Sequence, residues 1–290
     1  MDDFITIFRK SIKALGNSPI LLAMGFILGI ISLPQLAMFG PYDDVIKSVA
    51  ANYSQMLLPL LILPFLVGGA LGYAVEMRKN GSSSLSTFMG SAVKNYARML
   101  MGGIISFILF YILYFVAVVI VLVAGLGDPL MTSIMILLAA ALLFLILMSL
   151  EFYDISIVAD GAGVIAAYKN SIDFVKHNLV KTVPFFFILA IFKALVQMPL
   201  FIGVTAPIMQ NQTNYSSMIG PNATLNATAL LSMVPSSMAP SSLLIMAVFQ
   251  VLIQTFVFAF LALYKADYYL SLKSVKKITD FDYDFSEEHR

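Results

Sequence analysis

The chain has no cysteine and no tryptophan among its 290 residues, only two histidines, and charged side chains at 11% of positions. Without cysteine there is no disulfide, no thiolate metal site and no thiol nucleophile. Without tryptophan, any aromatic belt at a membrane surface must use tyrosine and phenylalanine. His177 and His289 have no companions at metal-ligand spacing, so no metal or cofactor is expected. Phosphate loops, zinc-protease, serine-hydrolase and dinucleotide-binding motifs are missing too; no enzymatic activity is expected. Charge is the scarcest ingredient of all. A soluble domain carries about 25% charged residues. With 60% hydrophobic residues, this chain cannot hide its apolar surface from water, and lipid is the expected solvent. The net charge of +1 points to no nucleic-acid partner. Asp2 and Asp3 precede an amphipathic segment without a small-residue cleavage site, so no cleavable signal is expected.

What the chain does have is long apolar runs. About 20 apolar residues cross a bilayer core. Six stretches qualify, at about 19–39, 56–76, 102–124, 131–152, 183–206 and 243–264. The expected fold is an all-α, polytopic membrane bundle of six transmembrane helices with three amphipathic helices on the cytoplasmic side. Residues 1–272 form one membrane domain. Residues 273–290, with Asp280, Asp282, Asp284, Glu287 and Glu288, form an acidic tail expected to be disordered.

The spans come in pairs, each after an amphipathic segment. The apolar stripes are Phe4, Ile5, Phe8, Ile12, Leu15; then Leu85, Phe88, Met89, Ala92, Tyr96; then Ile165, Tyr168, Ile172, Val175, Leu179. Such helices either lie in the headgroup plane or pack under the bundle. Phe8, Phe88 and Tyr168 recur at a period of about 80 residues, as do Ser11, Ser91 and Ser171. With two spans per repeat, the repeats share one orientation, unlike the inverted repeats of many transporters.

Lysine and arginine set the orientation. Arg9, Lys10, Lys13, Arg78, Lys79, Lys94, Arg98, Lys169, Lys176, Lys181, Lys265, Lys273, Lys276, Lys277 and Arg290 fall on one side, and Lys47 alone on the other. The positive-inside rule places both termini in the cytoplasm. The opposite side carries glycosylation acceptor patterns at Asn52, Asn211, Asn214, Asn222 and Asn226. Their blander reading is a flexible polar loop.

Ionisable groups within spans are the default functional candidates. Lys193 and Gln197 sit one turn apart in the fifth span, and Gln250 and Gln254 one turn apart in the sixth. Glu151 and Asp154 are the expected counter-charge to Lys193. These six residues either line a path for a solute or glue helices together. Gly68 and Gly72 give the second span a small-residue face, for packing within the chain or for dimerisation.

Val158-Ala-Asp-Gly-Ala-Gly-Val-Ile-Ala-Ala-Tyr-Lys-Asn-Ser-Ile-Asp-Phe-Val-Lys-His-Asn178 resembles the segment before the fifth span in the membrane domain of glycerophosphoryl diester phosphodiesterases and related prokaryotic six-span proteins. Asp160, Ala167, Ser171 and Asn178 carry the match. The stretch after Leu272 is too short for their soluble phosphodiesterase domain, so that activity does not come with the likeness. The resemblance implies a prokaryotic plasma-membrane protein; the sequon-rich loop suggests an archaeal one.

The expected function is that of a non-enzymatic scaffold, accessory or lipid-organising membrane component. Its partners would be membrane lipids, with Arg9, Lys10, Lys13, Lys94, Arg98, Lys169, Lys176 and Lys181 as headgroup or partner contacts. The alternative is a transporter or channel with its polar site around Lys193. A membrane-embedded enzyme built on Glu151, Asp154 and Asp160 is the least favoured reading.

Overall fold

The computed structural model describes residues 4–39, 43–124, 129–210 and 240–287. It is all-α. The elements are α1 (Phe4–Gly16), α2 (Pro19–Ser32), a 3-10 helix (Leu33–Phe39), α3 (Asp44–Asn52), a π-helix (Tyr53–Ile62), α4 (Leu63–Asn80), α5 (Leu85–Ala124), α6 (Pro129–Leu150), α7 (Tyr153–Asp160), α8 (Val164–His177), α9 (Leu179–Gln210) and α10 (Pro240–Glu287). Among the described residues, six stretches are long and apolar enough to cross a membrane: Pro19–Ala37, Leu60–Asn80, Leu85–Ile120, Leu130–Asp160, Leu179–Met198 and Ser241–Lys273. The third and fourth bury 0% of their most apolar windows, which suits side chains that lipid will cover.

Three boundaries differ from the sequence reading. The second amphipathic segment is not a separate helix, because α5 runs unbroken from Leu85 to Ala124. α1 is set off by Asn17, Ser18 and Pro19, and α8 by Asn178, but nothing comparable interrupts α5. The sixth span runs to Lys273, and α10 continues to Glu287, through the segment expected to be disordered. No glycine or proline follows Pro240 within it, so nothing there stops a helix. Around Pro34 and Pro59 the winding changes to 3-10 and π, as expected where a residue has no N–H to give.

The chain forms two compact units: residues 1–20, 60–189 and 260–290, and residues 21–59 and 190–259. In the second unit, Gly25 and Gly29 bring the first span against the sixth. A Cβ on Gly25 would lie 2.6 Å from the Thr255 carbonyl oxygen, and one on Gly29 2.8 Å from the Val251 Cα. Only glycine permits so close a crossing.

The first unit has an aromatic core. Phe152, Phe185, Tyr264, Tyr268 and Tyr269 are all but fully buried, with Phe185 4.5 Å from Tyr268 and 4.9 Å from Tyr264 between ring centres. Gly69 and Gly72 of α4 face Phe88 and Ser91 of α5, where a Cβ would sit 2.7 and 2.0 Å from those side chains. The small-residue face of the second span is thus used within the chain.

The amphipathic helices divide their apolar residues between two faces. α1 buries Ile7, Ser11 and Leu15, and α8 buries Ala167, Ser171 and Val175. On α5, Phe88, Ala92, Asn95 and Met99 turn inward. Ile5, Leu85 and Ile165 stay 52%, 48% and 83% exposed. The predicted stripes were therefore too broad. Only one part of each stripe, apolar residues together with the serine, faces the bundle, and the rest turns outward.

The serine in each helix does the same work three times. Ser91 Oγ donates to the Gly68 carbonyl of α4 at 2.9 Å. Ser171 Oγ donates to the Ser149 carbonyl of α6 at 2.6 Å. Ser11 Oγ lies 2.9 Å from Asp267 Oδ2 of α10. Each amphipathic helix of the second and third repeats is fastened to the span before it, and α1 is fastened to the last span.

Candidate functional site

The fourth span is broken between α6 and α7, at Glu151 and Phe152. A break frees backbone groups that must find new partners. Ser171 of α8 supplies one: the Phe152 N–H donates to its Oγ at 3.0 Å. Asp154 Oδ1 accepts from the Ile155 N–H at 2.7 Å, as an acidic residue does in a helix's opening turn.

Both carboxylates at the break point to the sixth span. Lys265 Nζ donates to Glu151 Oε1 and to Asp154 Oδ2, each at 2.8 Å. Lys265 is 6% exposed, and its ammonium lies 6.0 Å from the Phe152 ring centre. Charges this deep need partners of opposite sign. Asp267, two residues on, faces elsewhere: it accepts from Ser11 of α1 and pairs with Arg78 of α4 at 3.2 Å. One stretch of α10 therefore ties together α1, α4 and the break in the fourth span.

A second cluster lies further along the same helices. Asp160 closes α7, Gly161 following with φ of 67°. Its Oδ1 is 2.6 Å from Lys273 Nζ, and its Oδ2 accepts from the Tyr269 hydroxyl at 2.7 Å. Asn170 of α8 donates to Ser156 Oγ at 3.0 Å. Between these groups opens a pocket of about 210 Å³, lined by Asp160, Asn170, Asp173, His177, Tyr269 and Lys273 among others. On the other side of α8, the Tyr168 hydroxyl donates to the Gly102 carbonyl at 2.6 Å. Burial pushes that phenol above its ordinary range. Among the described residues, no group of three histidine, aspartate or glutamate side chains could hold a metal ion.

The sequence model of one family, described as a domain of unknown function (DUF7847), matches residues 3–272. The chain belongs to that family. The DUF7847 match covers all six spans and the three amphipathic segments. No curated protein and no solved structure matches the chain.

Within this DUF7847 chain the six residues of the expected polar site are found as follows. Glu151 and Asp154 hold Lys265. Lys193 and Gln197 are exposed on α9. Gln250 is buried; its Oε1 and that of Gln254 have no hydrogen-bond partner among the described residues. Arg9, Lys10 and Lys13 are exposed on α1, Lys94 on α5, and Lys169 and Lys176 on α8; Lys181 is exposed at the start of α9. Arg98 is half-buried and donates to the Gly161 carbonyl at 3.1 Å. Asn52 is exposed at the end of α3. Asn211, Asn214, Asn222 and Asn226 lie outside the described residues. Sequence reasoning missed Lys265 and Asp267 by ending the sixth span at 264, which made them loop charges. The signal was there: Lys265-Ala-Asp267 sits between aromatic residues on both sides, inside a helical run.

Proposed function

We propose that the protein is a non-enzymatic, lipid-organising component of a plasma membrane, its amphipathic helices on the cytoplasmic leaflet and both termini in the cytoplasm. In this reading it is an archaeal glycoprotein, modified on the sequon-rich loop. One observation carries the lipid reading: Ile5, Leu85 and Ile165 occupy the same register in three repeats, and all three are exposed. Beside them stand the exposed Arg9, Lys10, Lys13, Lys94, Lys169 and Lys176. An apolar side chain flanked by basic ones suits the boundary between acyl chains and anionic headgroups. The buried ions support an architectural role, since they are turned upon one another at 2.8 Å.

The test is lipid retention in mixed phosphatidylglycerol and phosphatidylcholine nanodiscs, read by native mass spectrometry. Wild-type protein should retain phosphatidylglycerol in excess. Changing Lys169, Lys176 and Lys181 together to glutamine should cut that excess by up to about a hundredfold, at about 1 kcal/mol per cation. An unchanged excess removes the proposal's support.

Transport is the second reading, and the broken fourth span favours it, because transporter sites are built at interrupted helices. It would centre on Lys265, Glu151 and Asp154 rather than on Lys193. Solute uptake by proteoliposomes that vanished in the Lys265→Met variant would establish it.

A further inference from the structure

α8 has a third face, distinct from the exposed Ile165 and Ile172, that meets the bundle only in part. Asn170, Asp173, Phe174, His177 and Asn178 share it at helical spacing, and all line the 210 Å³ pocket. Sites for drug-sized solutes hold roughly 300–1,000 Å³, so this one suits a smaller chemical group.

We propose that this pocket binds a phosphate ester bearing a primary ammonium, presented as the headgroup of a membrane lipid. This rests on the lipid-organising reading and names the lipid. Position supports a headgroup: Asp160 and Lys273 lie at the ends of the fourth and sixth apolar stretches, where polar headgroups rather than acyl chains are expected. Next to Asn178, Leu179 and Val180 are 46% and 86% exposed, an apolar shoulder on which acyl chains can lie.

The polar groups divide into two subsites. Lys273 Nζ has three N–H groups. It spends one on Asp160 at 2.6 Å, and half of its side chain remains exposed, so it can still donate to a phosphate. Asp173 and His177 are both exposed. His177 Nδ1 lies 2.6 Å from the Asp173 carbonyl oxygen. A carbonyl only accepts, so Nδ1 carries the hydrogen and Nε2 of the neutral ring is an acceptor. An ammonium can donate both to that nitrogen and to the Asp173 carboxylate. Phe174 and Tyr269, 4.8 Å apart between ring centres, supply the wall between the two subsites. Asp160, Asp173 and Lys273 leave one negative charge in excess. That favours a ligand with an ammonium and disfavours an anionic headgroup without one. A trimethylammonium has no N–H to give His177.

The experiment uses the full chain in nanodiscs of equal phosphatidylethanolamine, phosphatidylcholine and phosphatidylglycerol, with retained lipid identified by native mass spectrometry. Wild-type protein should keep phosphatidylethanolamine about tenfold over phosphatidylcholine, as expected for one charge-assisted hydrogen bond. Asp173→Asn and His177→Ala alter exposed side chains and should bring that ratio close to one. No preference in the wild type, or a preference untouched by both variants, overturns the proposal. Free phosphoethanolamine separates the sources: displacement at millimolar concentration would show that the ester alone suffices, while retention would show that the acyl chains contribute. The glutamine variant of Lys169, Lys176 and Lys181 should leave this ratio intact, so the two proposals fail independently.

Discussion

Lys265 holds two carboxylates in a place where none of the three could be left alone. Removing the lysine strands buried negative charge, and breaking such a pair costs about 3–5 kcal/mol. Lys265→Met should lower thermal stability in detergent accordingly. Lys265→Met combined with Glu151→Gln and Asp154→Asn should recover much of the loss, since neutral groups need no counter-ion. Equal destabilisation in both variants would mean that the cluster matters through shape rather than charge. Glycines give a sharper contrast. A methyl group on Gly72 would collide with Ser91, and overpacking costs about 1–3 kcal/mol. Nothing described lies within 4 Å of a Cβ on Gly90, so Gly90→Ala should stabilise α5 by about 0.4–1 kcal/mol. Opposite shifts in melting temperature are expected. At this scale the sequence was read least well. Glu151 and Asp154 stood out as acids in a span, but their partner lay beyond the predicted end of another, and periodicity does not say which helices will touch.

At the scale of elements, Ser11, Ser91 and Ser171 fasten each amphipathic helix to a span. Ser171 has the most at stake, because it both donates to Ser149 and accepts from Phe152 across the helix break. Ser171→Ala should cost about 1–3 kcal/mol, the penalty for stranding buried backbone groups, and chemical denaturation would measure it. A change below a few tenths of a kcal/mol would show that the break is satisfied by other means. The repeat was legible because a small polar residue must recur wherever helices meet at one distance. The continuity of α5 was not. The amphipathic segment and the span look different in hydropathy, but a helix stops only where residues stop it, and Gly102 and Gly103 do not. Gly102 instead makes room for Tyr153, which would lie 2.5 Å from a Cβ there.

At the scale of the molecule, six apolar stretches read from hydropathy correspond to six helices long enough to span. That agreement is robust because lipid forces backbone groups to pair within each segment. Orientation rests on charge, and the absence of cysteine makes it easy to test. Single cysteines replacing Lys13, Lys94 or Lys176 should react with an impermeant maleimide only from the cytoplasmic face of sealed vesicles, and one replacing Lys47 only from the other. Reaction of Lys47 and Lys176 replacements from the same face would overturn the proposed topology.

The contact that fastens α1 to the last span also has a history in time. A ribosome makes α1 first, yet Ser11 finds Asp267 only 256 residues later. Glu151 and Asp154 enter the membrane 114 and 111 residues before the ammonium that neutralises them. Until the sixth span arrives, the fourth carries unmatched acids beside a broken backbone. Its integration is therefore provisional, and a chain truncated before Lys265 should be cleared by quality control as an unfinished product rather than persist as a smaller protein.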